Sequence, residues 1–300
     1  MSYRRATLSL PLFALFACPA AAGPAPAYDS GGSGITYRYL EDGERAAYHG
    51  RYTEAIAQAS KAITVMPDFA VAYVYRAAFY MDSGRFQDAE ADLKRVAAMH
   101  PDAREVPLIR AQIAIETRQP AAAMAALAAA AAMPTASVWH QQYLISGVWS
   151  ASVFYMYSSM AQEQAGHDNA ALDDLDRAME NETERPWYIL SRHCNTAAVA
   201  GLLSMAELTC TEAISRNSHD LGEYDSLGLV HLKMKQWDKA IADYNQSLYY
   251  RSDLTLSVYG RGLAKRAKGD VAGGNADIAA ATRDEPDIAN IMTRLGAPAV

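Results

Sequence analysis

The chain has 300 residues, 51% of them hydrophobic and 20% charged, with a formal net charge of −7. The apolar fraction is enough for a sizeable core and excludes a disordered composition. The acidic balance argues against nucleic acid as a partner, because phosphate binding wants a basic face. Alanine is frequent and β-branched runs are few, which favours helix. At the start, residues 1–22 read as a secretory signal. Arg4 and Arg5 make the positive end, Ala6 to Ala17 a short apolar stretch, and Ala20-Ala21-Ala22 the small-x-small site, with cleavage expected before Gly23. A membrane span would need about 20 apolar residues; this run is shorter and contains Pro11. Leu15-Phe16-Ala17-Cys18 approximates a lipobox, so a lipoprotein anchored at Cys18 is the alternative. Either way export into a bacterial envelope is expected, to the periplasm if the chain is soluble, with membrane contact only if Cys18 is lipidated. Residues 23–35 (GPAPAYDSGGSGI) read as a disordered linker, too poor in apolar surface to offset ordering entropy.

The clearest structural signal lies in residues 70–101. Tyr73, Ala77 and Tyr80 follow the i, i+4, i+7 spacing of one helical face. Ser83-Gly84 interrupts it, and Phe86, Ala89, Leu93 and Val96 resume it until Pro101 forces a turn. The spacing predicts two antiparallel helices, with Ala77 and Ala89 facing each other so that the backbones approach closely. A leucine at either position would overpack the contact, costing roughly 1–3 kcal/mol. Upstream, Gly50, Tyr52, Ala55, Ala59, Ala62 and Pro67 precede Gly84, Phe86, Ala89, Leu93, Val96 and Pro101 by 34 residues each. One hairpin cannot bury its own apolar face, but a stack of them can.

Period and pattern resemble the tetratricopeptide repeat, on Tyr73, Ala77, Tyr80, Ala89, Leu93 and Pro101 as the large–small–large, small, large and proline sites. The resemblance implies an all-α solenoid of helical hairpins, a right-handed superhelix of about seven repeats. Repeats one to three span 36–134. The first two cover 36–69 and 70–103. The third keeps Ala111, Ala123, Leu127 and Ala130, but Arg118 and Pro120 replace the turn glycine and aromatic. The run Ala121–Ala132 reads as a closely packed helix. The period then breaks at residues 135–151, an aromatic-rich insertion, since Gly166 follows Gly84 by more than two repeats. Repeats four to seven span 152–288, the fifth carrying Cys194 and Cys210, the sixth Gly228 and Tyr244, and the seventh Gly262 and Gly274. Residues 289–300 are a tail that opens as a short capping helix.

No catalytic constellation rises above background: the histidines are scattered and form no HExxH. No metal and no cofactor are expected. In the repeat register Cys194 and Cys210 fall at facing sites, and an exported chain meets oxidising conditions, so a disulfide is expected. Two buried free thiols and a zinc site with His193 and His219 are the alternatives; the spacing fits no standard zinc pattern. The resemblance further implies a groove lined by the first helix of each repeat, which takes another protein or a peptide. Carried over by position, its residues are Tyr37, Leu40 and Glu44; Val74 and Asp82; Ser191 and Asn195; Asp225 and Lys233; and Tyr259 and Arg266. Ser191, Asp225 and Leu229 stand where a carboxylate clamp wants Lys or Asn, which argues against a chaperone-tail reader. The function implied is a non-catalytic interaction scaffold in the envelope. The rivals are a lipid-anchored assembly factor, and a small-ligand receptor or enzyme using the aromatics of 139–157 (Trp139, Tyr143, Trp149, Phe154, Tyr155, Tyr157), which otherwise fill a joint between two stacks.

Overall fold

The structure, a computed structural model, describes residues 33–133, 151–182, 187–216 and 222–298. The expected signal and Cys18, most of the linker, the insertion up to residue 150 and His219 lie outside these residues. Among them there are fifteen α-helices and no strand, as the periodicity predicts. None of these helices is long and apolar enough to cross a membrane. The chain divides into two compact units, Met1–Ala165 and Gly166–Val300. The division falls inside the span expected for a fourth repeat.

The first unit contains α1 (Ser33–Tyr48), α2 (Tyr52–Val65), α3 (Ala70–Asp82), α4 (Phe86–Met99), α5 (Glu105–Glu116), α6 (Pro120–Ala131) and α7 (Ala151–Ala165). The pairs α1/α2, α3/α4 and α5/α6 are hairpins, and each stacks on the next; α7 packs on α5 and α6. The small sites explain the close packing. Ala55, Ala77, Ala89, Ala111 and Ala123 all have no exposed surface, and Leu93, Val96 and Phe79 fill the space beside them in one continuous core. Complete burial of a side chain such as Leu93 stabilises by roughly 2 kcal/mol. A second tie joins the hairpin helices α3 and α4: Arg76 donates from Nε and Nη2 to the two carboxylate oxygens of Asp92, at 2.8 and 2.7 Å, and from Nη1 to Ser60.

The second unit contains α8 (Asp168–Glu180), α9 (Trp187–Ala200), α10 (Leu203–Arg216), α11 (Gly222–Lys233), α12 (Trp237–Tyr250), α13 (Thr255–Lys268), α14 (Val271–Asp284) and α15 (Ile288–Arg294). Here α8 packs on α9, the hairpins are α9/α10, α11/α12 and α13/α14, and α15 packs on α13 and α14. Ala171, Ala206 and Ala240 repeat the buried small site. The arginine tie recurs as well. Arg261 grips Asp277 bidentately at 2.8 and 2.9 Å and reaches Asn245, with the same 16-residue offsets as Arg76.

The turns inside the hairpins share one backbone shape. Gly50, Gly84 and Arg118, and then Gly201, Lys235 and Gly269, are spaced by 34 residues and all have positive φ. At Gly84 the amide donates to Met81 O and the next amide, of Arg85, to Tyr80 O, which closes the end of α3. The same pair recurs at the two turns without glycine: the Arg118 and Lys235 amides donate to Ile115 O and Leu232 O, and the next amides, of Gln119 and Gln236, to Ala114 O and His231 O. Stacking therefore imposes the left-handed residue even where the sequence supplies no glycine. For a residue with a Cβ that conformation costs roughly 1–2 kcal/mol, partly offset by glycine's greater freedom when unfolded. Both side chains are exposed. Arg118→Gly and Lys235→Gly are each expected to raise stability by up to about 1 kcal/mol, read as a higher denaturation midpoint; an unchanged midpoint would show that the arginine or lysine compensates locally.

Candidate functional site

The first helices of the hairpins carry the expected groove residues, and the structure separates them into open and covered positions. In the first unit Tyr37 is half-buried, its ring edge-on to Phe69 at 5.5 Å. Leu40 and Val74, expected to line a groove, are instead buried core residues, 3% and 5% exposed. Both are aliphatic and have no polar group to keep them at a wet surface. Glu44 is hydrogen-bonded to the Tyr75 hydroxyl, and burial raises its carboxyl above the usual range, with that bond opposing the shift. Burial, with Glu44 alongside, pushes the Tyr75 hydroxyl well up. Asp82 is half-buried, and its charge reaches both Tyr52 and Tyr157.

In the second unit Ser191 and Asn195 are half-buried on α9, and Ser226 of α11 donates to the Asn195 side-chain oxygen. Asp225, also expected to line the groove, is buried instead. It is 5% exposed and accepts from Ser257 Oγ at 3.0 Å, and Ser257 in turn meets Ser247 at 2.9 Å. A carboxylate so enclosed is occupied in joining α11, α13 and α12. Lys233 is half-buried and donates to backbone carbonyls; Tyr259 is half-buried and Arg266 exposed. Of the second unit's set Arg266 is thus exposed, and Ser191, Asn195 and Tyr259 are half-buried, the Asn195 oxygen being engaged by Ser226.

Of the aromatic segment, Trp139, Tyr143 and Trp149 lie outside the described residues. Phe154 and Tyr155 stack edge-on at 5.6 Å, with the Arg104 guanidinium 5.7 Å from the Phe154 ring. Tyr157 is buried beside Gln112, and burial raises its hydroxyl. The described part of this segment packs within the first unit. Cys194 and Cys210 are joined as a disulfide, both with no exposed surface and their Cα atoms 4.9 Å apart. Sulfurs bonded to each other are not thiolate ligands, which removes the zinc alternative. His193, its other proposed ligand, faces Asp176 at 3.5 Å.

Two features escaped the sequence reading. One is the basic position just before the small site, held by Arg76, Arg110 and Arg261; Arg110 grips Glu90 at 3.0 and 2.7 Å. The 34-residue step from Arg76 to Arg110 was its available signal. The other is His231 of α11, 5% exposed and held between carboxylates of two neighbouring helices. Its Nδ1 meets Asp243 of α12 and its Nε2 meets Glu207 of α10 at 3.1 Å; Lys239 Nζ is 3.3 Å from the same Glu207 oxygen. Burial would lower the imidazole's pKa, but the bonds from Asp243 and Glu207 outweigh it and carry it above the usual 6.5. His231 lowers the Glu207 carboxyl in turn.

The signs are opposite. The charged imidazole contributes stability that is complete below its unfolded value, about 6.5, and is lost as pH rises through the higher folded value. Glu207 contributes above its ordinary value and is lost as pH falls through the lower folded one. The tie is therefore strongest in mildly acidic solution. The denaturation midpoint is expected to fall as pH is raised from about 6 to about 8.5, and His231→Gln to flatten that slope. A slope unchanged in the variant would show that other groups set it.

Residues 79–137 match the family model described as tetratricopeptide repeat. No curated protein sequence matches the chain. Among solved structures it is similar to the APC/C hetero-tetramer Cut9–Hcn1, with 15% identity and a TM-score of 0.67 over 87% of this chain and 51% of that one. It is also similar to a tetratricopeptide repeat protein from Parabacteroides merdae, with 14% identity and a TM-score of 0.58 over 88% and 99%. A third likeness is to the C-terminal part of a repeat-containing protein from Cytophaga hutchinsonii, with 14% identity and a TM-score of 0.53 over 70% and 78%. The chain spans about half the length of the first of these. At these identities the likeness is one of fold.

Proposed function

We propose that this chain, which is built from tetratricopeptide repeats, is a non-catalytic scaffold of the bacterial cell envelope that holds another protein or a peptide against the first helices of its hairpins. The supporting observation is the second unit's set. The half-buried Ser191, Asn195 and Tyr259 and the exposed Arg266 offer hydrogen-bonding groups and one charge on helices anchored in the core by Leu190, Cys194 and Ala264. Rigid backbones with a few polar anchors recognise by shape and contact, at low ordering cost. An exported chain is also the context in which a buried disulfide persists.

Crosslinking in intact cells, followed by identification of what is recovered, tests this reading. Asn195→Arg with Tyr259→Asp is expected to abolish recovery while the circular dichroism stays helical. Recovery equal to that of the unaltered chain would remove the groove from the account. The mass of the mature N-terminus settles the route: Gly23 at the end means a soluble periplasmic protein, and an acylated Cys18 an anchored one.

A further inference from the structure

The ends of three helices meet at one ammonium. Lys233 closes α11, and its Nζ donates to Ala198 O at 2.5 Å, with Val199 O at 3.4 Å and Leu295 O at 3.2 Å. Ala198 and Val199 end α9, and Leu295 follows α15. Helix C-termini carry unpaired carbonyls and partial negative charge, so a cation fits there. The connection to α15 is long-range, however. α15 follows α14 and packs on α13 and α14, yet its end reaches α11, which lies beyond α13 in the stack. It does so on the face where Lys233 was expected to meet a partner. Gly296, left-handed with φ 75°, brings the backbone so close that a Cβ there would lie 3.0 Å from Lys233 Nζ.

The apolar side agrees. Ile288 and Met292, one helical turn apart, are each 1% exposed. On α13, against which they lie, Leu256 and Leu263 are 2% and 6% exposed; Leu229 of α11, 34 residues before Leu263, is 5% exposed. These leucines stand in the register of the inner face and are buried, as Leu40 and Val74 are in the first unit; what α15 adds is the burial of Ile288 and Met292 where it packs on α13.

We propose that α15 is a built-in occupant of the second unit's inner face, and that the partner this face accepts is a short amphipathic helix with apolar side chains at i and i+4 whose terminal carbonyls land on Lys233. Such a helix competes with α15. The inference rests on the scaffold reading and specifies its partner class. A tethered occupant acts at an effective concentration in the millimolar range, so the resting chain resists an external helix and a chain with α15 released accepts it.

The probe is a fluorescent synthetic peptide of residues 285–298, followed by anisotropy against the full chain and against the full chain carrying Ile288→Ser and Met292→Ser. The variant is expected to bind at least about tenfold more tightly than the unaltered chain, and a scrambled peptide to bind neither. In a second measurement on the full chain, Lys233→Met is expected to speed amide exchange at residues 291–296 at least about tenfold, leaving α13 protected. Equal affinity for both chains, no binding to a folded double variant, or unchanged exchange in Lys233→Met would each overturn the proposal. If the double variant does not fold, the exchange result alone decides. A negative peptide result with crosslinking intact in cells removes the helix-shaped partner only; loss of crosslinking in both chains removes the scaffold itself.

Discussion

Gly260→Ala is expected to destabilise the second unit by about 3 kcal/mol, at the upper end for one added methyl group. The cause is Tyr244 of α12, whose ring has no exposed surface. It lies between Gly228 of α11 and Gly260 of α13. A Cβ at 260 would stand 2.3 Å from Tyr244 Cζ and 2.5 Å from its hydroxyl oxygen, and one at 228 would stand 2.8 Å from Cε1. An enclosed ring cannot swing clear, so either the helices part or the ring leaves its rotamer. Gly228→Ala is expected to cost less, in keeping with the longer contact. Among the described residues the Tyr244 hydroxyl has no hydrogen-bond partner. Tyr244→Phe should therefore be neutral or stabilising, since it removes an unpaired buried group. The decisive comparison is a double-mutant cycle. Tyr244→Leu should recover most of the loss caused by Gly260→Ala, and additive losses would mean that the glycine serves something other than the ring.

Replacing both half-cystines, as Cys194→Ala with Cys210→Ala, is the second large effect. The bond links residues 16 apart across the α9/α10 hairpin, and closing such a loop is worth roughly 3 kcal/mol in the chain-entropy picture. Both side chains also belong to the core with Leu172, Ala197, Ala206 and Val230, so shortening them removes contacts in addition. Denaturant melts of oxidised chain and variant measure the difference, and a mass without free thiols in protein from its native compartment confirms the bond. A loss below about 1 kcal/mol would mean that the unfolded chain gains little freedom when the link is cut.

Much of this architecture was legible in the residues. Ala77 and Ala89 are small because two backbones meet there, and that requirement repeats every 34 residues whatever the rest of the sequence does. The turns were legible at Gly50 and Gly84 and obscured at Arg118 and Lys235, where packing imposes a left-handed residue on side chains that disfavour it. The candidate groove was legible by face only: Tyr259 is half-buried, while Leu40, Val74 and Asp225 occupy the same repeat position and are covered.

The amino-acid sequence by itself determined the helices and the pairing of those joined in the six hairpins, because these follow from a periodicity that the backbone's own geometry reads locally. Only the tertiary structure decided the rest: that Arg76 and Arg261 each grip an aspartate on the facing helix, that His231 sits between two carboxylates, and that α15 ends on Lys233. Those contacts join residues far apart in the chain. Which of several polar side chains wins a shared partner, and where a seven-residue helix comes to lie, depends on distances that exist only once the hairpins are stacked.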